Sequence, residues 1–235
     1  MNQNCIGELA MNVEQKDFLE SKQCDEEIVV PRKKPVYSFV KRGADMILSL
    51  IALVVLSPVF LIVALAIWLE DRGPVFFSQI RLTTNGKKFK MYKFRSMCVD
   101  AEEKLKELQE YNEITDGPAF KMHNDPRITK VGRFIRKTSL DELPQLLNIF
   151  FGDMSIVGPR PPLPKEVEQY TPYQRQRLGV KQGLTCYWQC SGRNNIGFEE
   201  WVELDLKYIK ERGIWTDIKI VLKTVLAVLK MDGAK

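Results

Sequence analysis

The chain has 235 residues, of which 45% are hydrophobic, and a net charge of +5. This size and composition allow one core of ordinary size and exclude a wholly disordered chain or a collagen-like rod. The small positive excess favours an anionic partner without identifying it. No nucleic-acid-binding motif accompanies the charge, so we expect no nucleic acid partner.

Charge is distributed unevenly along the chain. Residues 1–30 hold two basic and seven acidic side chains, whereas residues 31–42 and 72–95 hold five and seven basic side chains and no acidic ones. An uncharged run over residues 46–69 separates the two basic segments. We predict an acidic, disordered tail over residues 1–35, a basic juxtamembrane stretch with a membrane helix over residues 36–72, and a folded domain over residues 73–235.

The uncharged run decides the membrane prediction. As one helix its 24 residues would span about 36 Å, enough for a hydrocarbon core of about 30 Å. Ser57-Pro58 interrupts it at the midpoint and leaves two arms that are each too short to cross. Basic residues on both flanks favour a re-entrant helix with both ends on the cytoplasmic face, in which the Ser57 hydroxyl is available to the backbone carbonyl that proline leaves unpaired. A kinked spanning helix and a buried soluble helix remain open.

Two further segments have clear local patterns. Asn85-Gly86 lies between two β-prone stretches within residues 75–97 and predicts a hairpin, on which three lysines are expected near one face. Those lysines fit either a solvated strand or a surface that binds lipid phosphates or a nucleotide diphosphate: Lys88, Lys90 and Lys93. From residue 198 onward, helical spacing predicts two C-terminal helices, whose apolar stripe fits either a core or the membrane interface.

The Asp141-Glu142 pair precedes an apolar helical pattern, and Pro144 places the pair at the N-terminus of that helix. One interpretation is structural, because Ser139 and Glu142 have the spacing of a capping box. The other is chemical, because the pair is surrounded by more basic residues than two carboxylates need: Arg127, Lys130, Arg133, Arg136, Lys137 and Arg160. Surplus arginines beside a helix N-terminus favour phosphate, and adjacent carboxylates among phosphate-binding groups favour Mg²⁺ or a carboxylate nucleophile.

Several segments together resemble the bacterial sugar transferase family, the monotopic phosphoglycosyl transferases. The resemblance covers about residues 36–235 and rests on these stretches: KRGADMILSLIALVVLSPVFLIVALAI, GPVFFSQIR, KMYKFRSM, DPRITKVGRFIRKTSLDELPQLLNIFFGDMSIVGPRP and SGRN. It implies an α+β fold: a mainly helical, membrane-associated catalytic domain with a small β-hairpin and an N-terminal re-entrant membrane helix. The break at Ser57 and Pro58 matches the re-entrant helix of the family.

The resemblance also implies an activity. Family members transfer a sugar phosphate from a UDP-sugar to polyprenyl (undecaprenyl) phosphate, release UMP and so begin the assembly of an exopolysaccharide, capsule, O-antigen or glycan. This implies location at the bacterial inner membrane with the catalytic domain on the cytoplasmic face, where membrane lipids are further partners. Asp141 corresponds to the nucleophile and Glu142 to its partner, and both are expected to hold Mg²⁺. The other implied site residues bind substrate: Lys93, Arg95, Arg136, Gly158, Pro159, Arg160 and Pro161.

Two departures limit what the resemblance implies. Some members carry additional N-terminal membrane helices, so we expect the short catalytic form here. Where many members read GLTGLWQVSGR this chain reads GLTCYWQCSGRN, with Cys186, Tyr187 and Cys190 at variant positions. The sugar, the glycan and the oligomeric state, including a possible homodimer, stay open. The five cysteines match no disulfide or zinc framework and are expected to be structural thiols. A non-enzymatic membrane adaptor that binds anionic lipid is the alternative function.

Overall fold

A computed structural model describes residues 33–108, 122, 125–190 and 197–229. The acidic tail predicted over residues 1–35 lies almost wholly outside the described residues, as does the SGRN segment. The described part is mostly helical, with one small antiparallel hairpin, as predicted.

The helices and strands are numbered in chain order. The helices are α1 (Pro35–Val55), α2 (Ser57–Asp71), α3 (Ala101–Leu108), α4 (Lys130–Lys137), α5 (Gln145–Phe151), α6 (Pro164–Glu168), α7 (Pro172–Arg175), α8 (Tyr187–Cys190), α9 (Phe198–Glu211) and α10 (Ile214–Leu229). The strands are β1 (Phe76–Leu82), β2 (Lys88–Phe94), β3 (Ser155–Val157) and β4 (Gly183–Thr185). Single 3₁₀ turns occur at Thr84–Gly86, Leu140–Glu142 and Gln176–Gly179.

The break in the uncharged run falls where Pro58 predicts it. Helices α1 and α2 meet at Leu56 with a bend of 61°. Pro58 cannot donate to the carbonyl of Val54, four residues earlier, and the Ser57 hydroxyl donates to that carbonyl instead at 2.8 Å. The predicted use of the serine is therefore confirmed.

Neither arm of the bent pair is a buried core helix. Val54, Leu61 and Ile62 are 66%, 72% and 68% exposed. No helix within the described residues is alone long and apolar enough to cross a bilayer, whereas α1 and α2 together are, by length and composition.

The hairpin forms around Asn85 and Gly86, both of which have positive φ (57° and 75°). Strands β1 and β2 pair antiparallel, with Phe77 opposite Lys93. The prediction that Lys93 shares a face with Lys88 and Lys90 is wrong. Consecutive residues of a strand point to opposite faces, and Lys93 is an odd number of residues from the other two. Lys88 and Lys90 are exposed, whereas Lys93 is half-buried.

The bent pair packs directly against the elements that flank the acidic pair. Residues of α1 pack with β2 and α5 through one apolar cluster, and α2 packs with β2 and α4 through a second. Burial of these side chains, at about 25 cal/mol per Å² of apolar area, is what holds the helix pair to the domain. The position of the acidic pair is thus fixed relative to the bent helices.

The apolar stripes of the two C-terminal helices are buried to different extents. Helix α9 buries Val202, Leu206 and Ile209 in a core, whereas α10 buries Ile220 and leaves Trp215 and Leu222 exposed. Behind them lies a feature that the sequence patterns did not predict, a short parallel pair formed by β3 and β4.

Candidate active site

The acidic pair lies in the 3₁₀ turn Leu140–Glu142, between α4 and α5. The α-helix itself begins later, at Gln145, directly after Pro144. The predicted capping box does not form: an N-cap residue has an extended backbone, whereas Ser139 is left-handed (φ 59°, ψ 16°) and its side chain makes no cap hydrogen bond. The structural interpretation of Glu142 as a capping residue is therefore wrong.

One lysine lies near both carboxylates. The Lys93 Nζ is 2.9 Å from Glu142 Oε1 and 3.9 Å from Asp141 Oδ2. Arg160 approaches the same Glu142 oxygen, with its Nη1 at 3.7 Å. Glu142 thus carries most of the ion pairing, which leaves the Asp141 carboxylate less engaged.

Burial sets the chemistry of Asp141. Its side chain is buried, and this loss of solvent raises the pKa of the Asp141 carboxyl; the nearby charge of Glu142 raises it further. Lys93, Arg136 and Arg160 act in the opposite direction and offset part of the rise. A carboxylate whose charged form is poorly solvated is a stronger nucleophile than a hydrated one, and such shifted groups cluster at functional sites.

Arg136 has the clearest unmet bonding capacity near the pair. It lies in the last turn of α4, and its charge acts on Asp141. Its Nη1 is buried and has no hydrogen-bond partner within the part of the chain that the structure describes. A buried guanidinium nitrogen without an acceptor is costly, so an anionic ligand at this point would stabilise the site.

Arg95 is placed elsewhere. Its guanidinium forms an ion pair with Asp71, at the end of α2, and borders Gly73. Among the predicted basic residues, Lys93, Arg136 and Arg160 are near the acidic pair, whereas Arg95 joins the bent helix pair to the end of the hairpin.

The Gly158-Pro159-Arg160-Pro161 loop leaves the end of β3. Gly158 N–H donates to Thr185 O at 2.9 Å, and a Cβ on Gly158 would lie 2.4 Å from the Lys181 carbonyl oxygen. Only glycine permits this approach of the two chains, and the approach places Arg160 beside Glu142.

The comparisons with known proteins show the family. The bacterial sugar transferase family profile matches residues 36–231. The chain belongs to the bacterial sugar transferase family. It is 56% identical over 167 residues to the galactosyl transferase CpsE of Streptococcus agalactiae, covering 71% of this chain and 37% of the relative.

Two other relatives have informative names and lengths. The chain is 43% identical to the UDP-glucose:undecaprenyl-phosphate glucose-1-phosphate transferase of Escherichia coli, over 81% of the chain and 40% of the relative. It is 39% identical to the exopolysaccharide production protein ExoY of Rhizobium meliloti, over 86% of the chain and 90% of the relative. The chain thus spans less than half of the first two relatives and nearly all of ExoY.

The structure shows what surrounds two of the variant positions, Cys186 and Tyr187. Cys186 is fully buried beside Val157 and Tyr208, and burial raises the pKa of its thiol, which fits a structural role. The Tyr187 hydroxyl donates to Glu211.

Two residues near the site were missed by the sequence patterns, Trp188 and Arg81. The Trp188 ring lies under the Arg160 guanidinium, with the ring centroid 5.8 Å from Arg160 Cζ. Arg81 donates to the Pro161 carbonyl at 3.0 Å. The basic segment 72–95 was the available signal for Arg81, but charge alone does not tell which basic residue reaches the loop.

The acidic pair offers two carboxylate side chains as donors for a divalent cation. Within the described ranges no group of three or more His, Cys, Asp or Glu side chains is arranged as metal ligands, so Asp141 and Glu142 are a set of two. Mg²⁺ is commonly bound through one or two carboxylates, with substrate phosphates and water completing its shell. One cationic group, Lys93, already lies within 4 Å of both carboxylates.

Proposed function

We propose that this protein transfers a sugar 1-phosphate from a UDP-sugar to polyprenyl (undecaprenyl) phosphate and releases UMP, which starts the assembly of an exopolysaccharide or related glycan. The observation that carries the proposal is the buried Asp141 carboxylate with three basic groups around it. One of them, Arg136, has a buried nitrogen without an acceptor among the described residues. The name of the Escherichia coli relative, a UDP-glucose:undecaprenyl-phosphate glucose-1-phosphate transferase, supports the reaction class.

The proposed reaction has two displacements at one phosphorus. An Asp141 oxygen attacks the sugar-bearing phosphorus, the bond to the bridging oxygen breaks, and UMP leaves with the electron pair. An oxygen of polyprenyl phosphate then attacks the same phosphorus, the bond to Asp141 breaks, and the carboxylate is regenerated. The products are UMP and a polyprenyl diphosphate sugar, and no oxidant or reductant is needed.

The other residues hold charge during these steps. Arg136 and Arg160 bind phosphate oxygens, and Lys93 lies where it can orient the two carboxylates. Mg²⁺, held by Asp141 and Glu142, would supply additional positive charge against the diphosphate. Arg160, next to Glu142, would orient the nucleotide end of the donor.

The decisive experiment is UMP release from a panel of UDP-sugars with a short-chain polyprenyl phosphate. Asp141→Asn removes the nucleophilic oxygen at constant volume, so we expect turnover to fall by at least about 10³-fold. Glu142→Gln is the matched control, because it removes the neighbouring charge and leaves Asp141 in place; we expect measurable residual turnover. Full turnover by the Asp141→Asn variant would exclude Asp141 as the nucleophile.

We further propose that α1 and α2 enter the bacterial inner membrane and return, so that the catalytic domain faces the cytoplasm. The bend of 61°, the exposed apolar side chains and the Ser57 hydrogen bond support this arrangement, since a backbone carbonyl in hydrocarbon needs an internal donor.

The orientation has its own measurement. Single cysteines at the exposed positions Lys33 and Pro74, in a background without accessible native thiols, should both react with a membrane-impermeant reagent in inside-out vesicles. Labelling of the two positions from opposite sides would instead show a kinked spanning helix.

A further inference from the structure

The loop that carries Arg160 has an uncommon backbone. Three of the four residues from 159 to 162 are prolines, which have no N–H to donate. A segment of this kind cannot be fixed by its own donors. Its position depends on which neighbouring groups donate to its carbonyl oxygens.

Three donors reach these carbonyls. The Gly183 N–H donates to Pro159 O at 2.9 Å, and the Leu82 N–H donates to Pro162 O at 3.0 Å. Both are backbone groups that almost any residue would supply. The third donor is a side chain: Arg81 Nη1 donates to Pro161 O at 3.0 Å.

The Arg81 guanidinium is itself held in place. Gln79 lies two residues earlier on β1 and therefore on the same face of the strand. Its Oε1 accepts from Arg81 Nε at 3.1 Å and from Nη2 at 2.8 Å. Two bonds to one acceptor fix the plane of the guanidinium, so that Nη1 is directed at the loop.

Arg81 remains charged although it is largely removed from solvent. Burial, with a contribution from the nearby Arg160, lowers the pKa of Arg81 to about 10. Two guanidinium groups are thus held close together, with Glu142 and Glu166 as the nearby acids. Such an arrangement is stabilised by a ligand with two negative groups.

We propose that Arg81 is a positioning residue that holds the Pro161 carbonyl and thereby fixes the preceding Arg160 guanidinium for the diphosphate of the donor. This assignment rests on the proposed function and adds a residue to it. Arg160 has Glu142 on one side and the Trp188 ring below it, and both contacts depend on where the loop backbone places Arg160.

The test is a double-mutant cycle with UDP as the probe, measured by calorimetry on the detergent-solubilised chain. Arg81→Met should weaken UDP binding about tenfold in the otherwise unchanged chain and by less than about twofold in an Arg160→Ala background, because coupled residues are not additive. Arg81→Lys can reach Pro161 with one donor, but not Gln79 at the same time, and should restore part of the affinity. In turnover, Arg81→Met should raise KM for the UDP-sugar more than it lowers kcat.

Other results would overturn the assignment. Equal weakening by Arg81→Met in both backgrounds would mean that Arg81 contacts the ligand itself, and no weakening would mean that the loop does not need it. If Arg81→Met unfolds, Gln79→Leu provides the second variant: it removes the acceptor that orients Arg81 and should weaken UDP binding in the same Arg160-dependent way. Failure of the unaltered chain to bind UDP or release UMP would instead refute the proposed function, before any variant is compared, and this assignment with it.

Discussion

Two groups of basic residues look alike in the sequence and differ in the folded protein. The flank cations are Lys34, Lys41 and Arg42, at the start of α1. The site cations are Lys93, Arg136 and Arg160. Both groups lie in segments rich in basic residues.

The flank cations are bonded to the protein itself. Lys34 Nζ donates to Arg212 O at 2.6 Å, and Lys41 Nζ pairs with Asp217 at 2.6 Å. Arg42 donates to the carbonyls of Ile149 and Phe150, both at 2.7 Å, at the end of α5. A cation at a helix C-terminus satisfies the last carbonyls and the helix dipole.

Two of the site cations retain capacity to bind an anion. Arg160 is 3.7 Å from Glu142, and Arg136 has a buried nitrogen with no acceptor among the described residues. The comparison teaches that the number of basic residues does not identify a ligand site. The buried Arg136 nitrogen points to a ligand because it lies beside the acidic pair.

The largest expected difference comes from Arg136→Gln. We expect UMP release to fall about 100-fold, the scale of losing one preorganised donor to developing charge. Thermal stability should be unchanged or higher, since a buried group with an unpaired nitrogen is removed. Initial rates and the melting temperature, measured on the same preparation, check this; a large loss of stability with activity retained would reverse the assignment.

Arg42→Gln is the matched variant from the flank group and should show the opposite balance. Loss of its two carbonyl contacts should lower the free energy of unfolding by about 2 kcal/mol, because hydrogen bonds from charged groups are stronger than neutral ones. Turnover per folded molecule should change by less than about threefold, given that such residues act on stability more than on chemistry. A loss of turnover as large as that of Arg136→Gln would remove the distinction between the two groups.

A smaller effect is expected in the pH dependence of turnover. Asp141 must be ionised to attack, and its raised pKa moves the loss of activity on acidification to a higher pH than for an ordinary aspartate. Lys93→Met removes a charge that favours the carboxylate, so the acidic limb should move to higher pH; Glu142→Gln removes a like charge, so the limb should move to lower pH. Rate profiles of residual activity measure both shifts, and shifts in the same direction would contradict the assigned charges.

The same pKa has a consequence for stability with the opposite sign to that of a salt-bridged aspartate. The folded state binds the Asp141 proton more tightly than the unfolded state does, so this group stabilises the fold most below its unfolded pKa. Its contribution declines as the pH rises through the raised folded value.

Local features were predictable because their causes are local. Pro58 removes a donor wherever it stands in a helix, and Asn85-Gly86 tolerates positive φ with little dependence on distant residues. The acidic pair was a candidate because so many arginines surround it in sequence. The prediction of a capping box at Ser139 was wrong. The local spacing fits a cap, whereas the left-handed backbone at Ser139 depends on the packing of α4 and α5 on the bent helices.

Other parts of the site depend on residues that are distant in sequence. The parallel pair of β3 and β4 joins segments of three residues each, too short for a periodic signal. Arg95 was predicted with Lys93 from a shared motif. Arg95 lies one residue beyond the end of β2, and the partners of the two side chains come from different elements: Asp71 at the end of α2 and Glu142 beyond α4.

The sequence by itself determined the family, the interrupted apolar run, the hairpin and the candidate nucleophile, because each of these depends on residue type and short-range spacing. Tertiary structure alone decided which cations are satisfied by protein groups and which retain an unpaired donor. It also decided that a proline-rich loop is held through its carbonyls by Arg81. The physical reason is that a hydrogen bond needs its donor and acceptor within about 3 Å, and for groups distant in sequence no pattern of residue types fixes that distance.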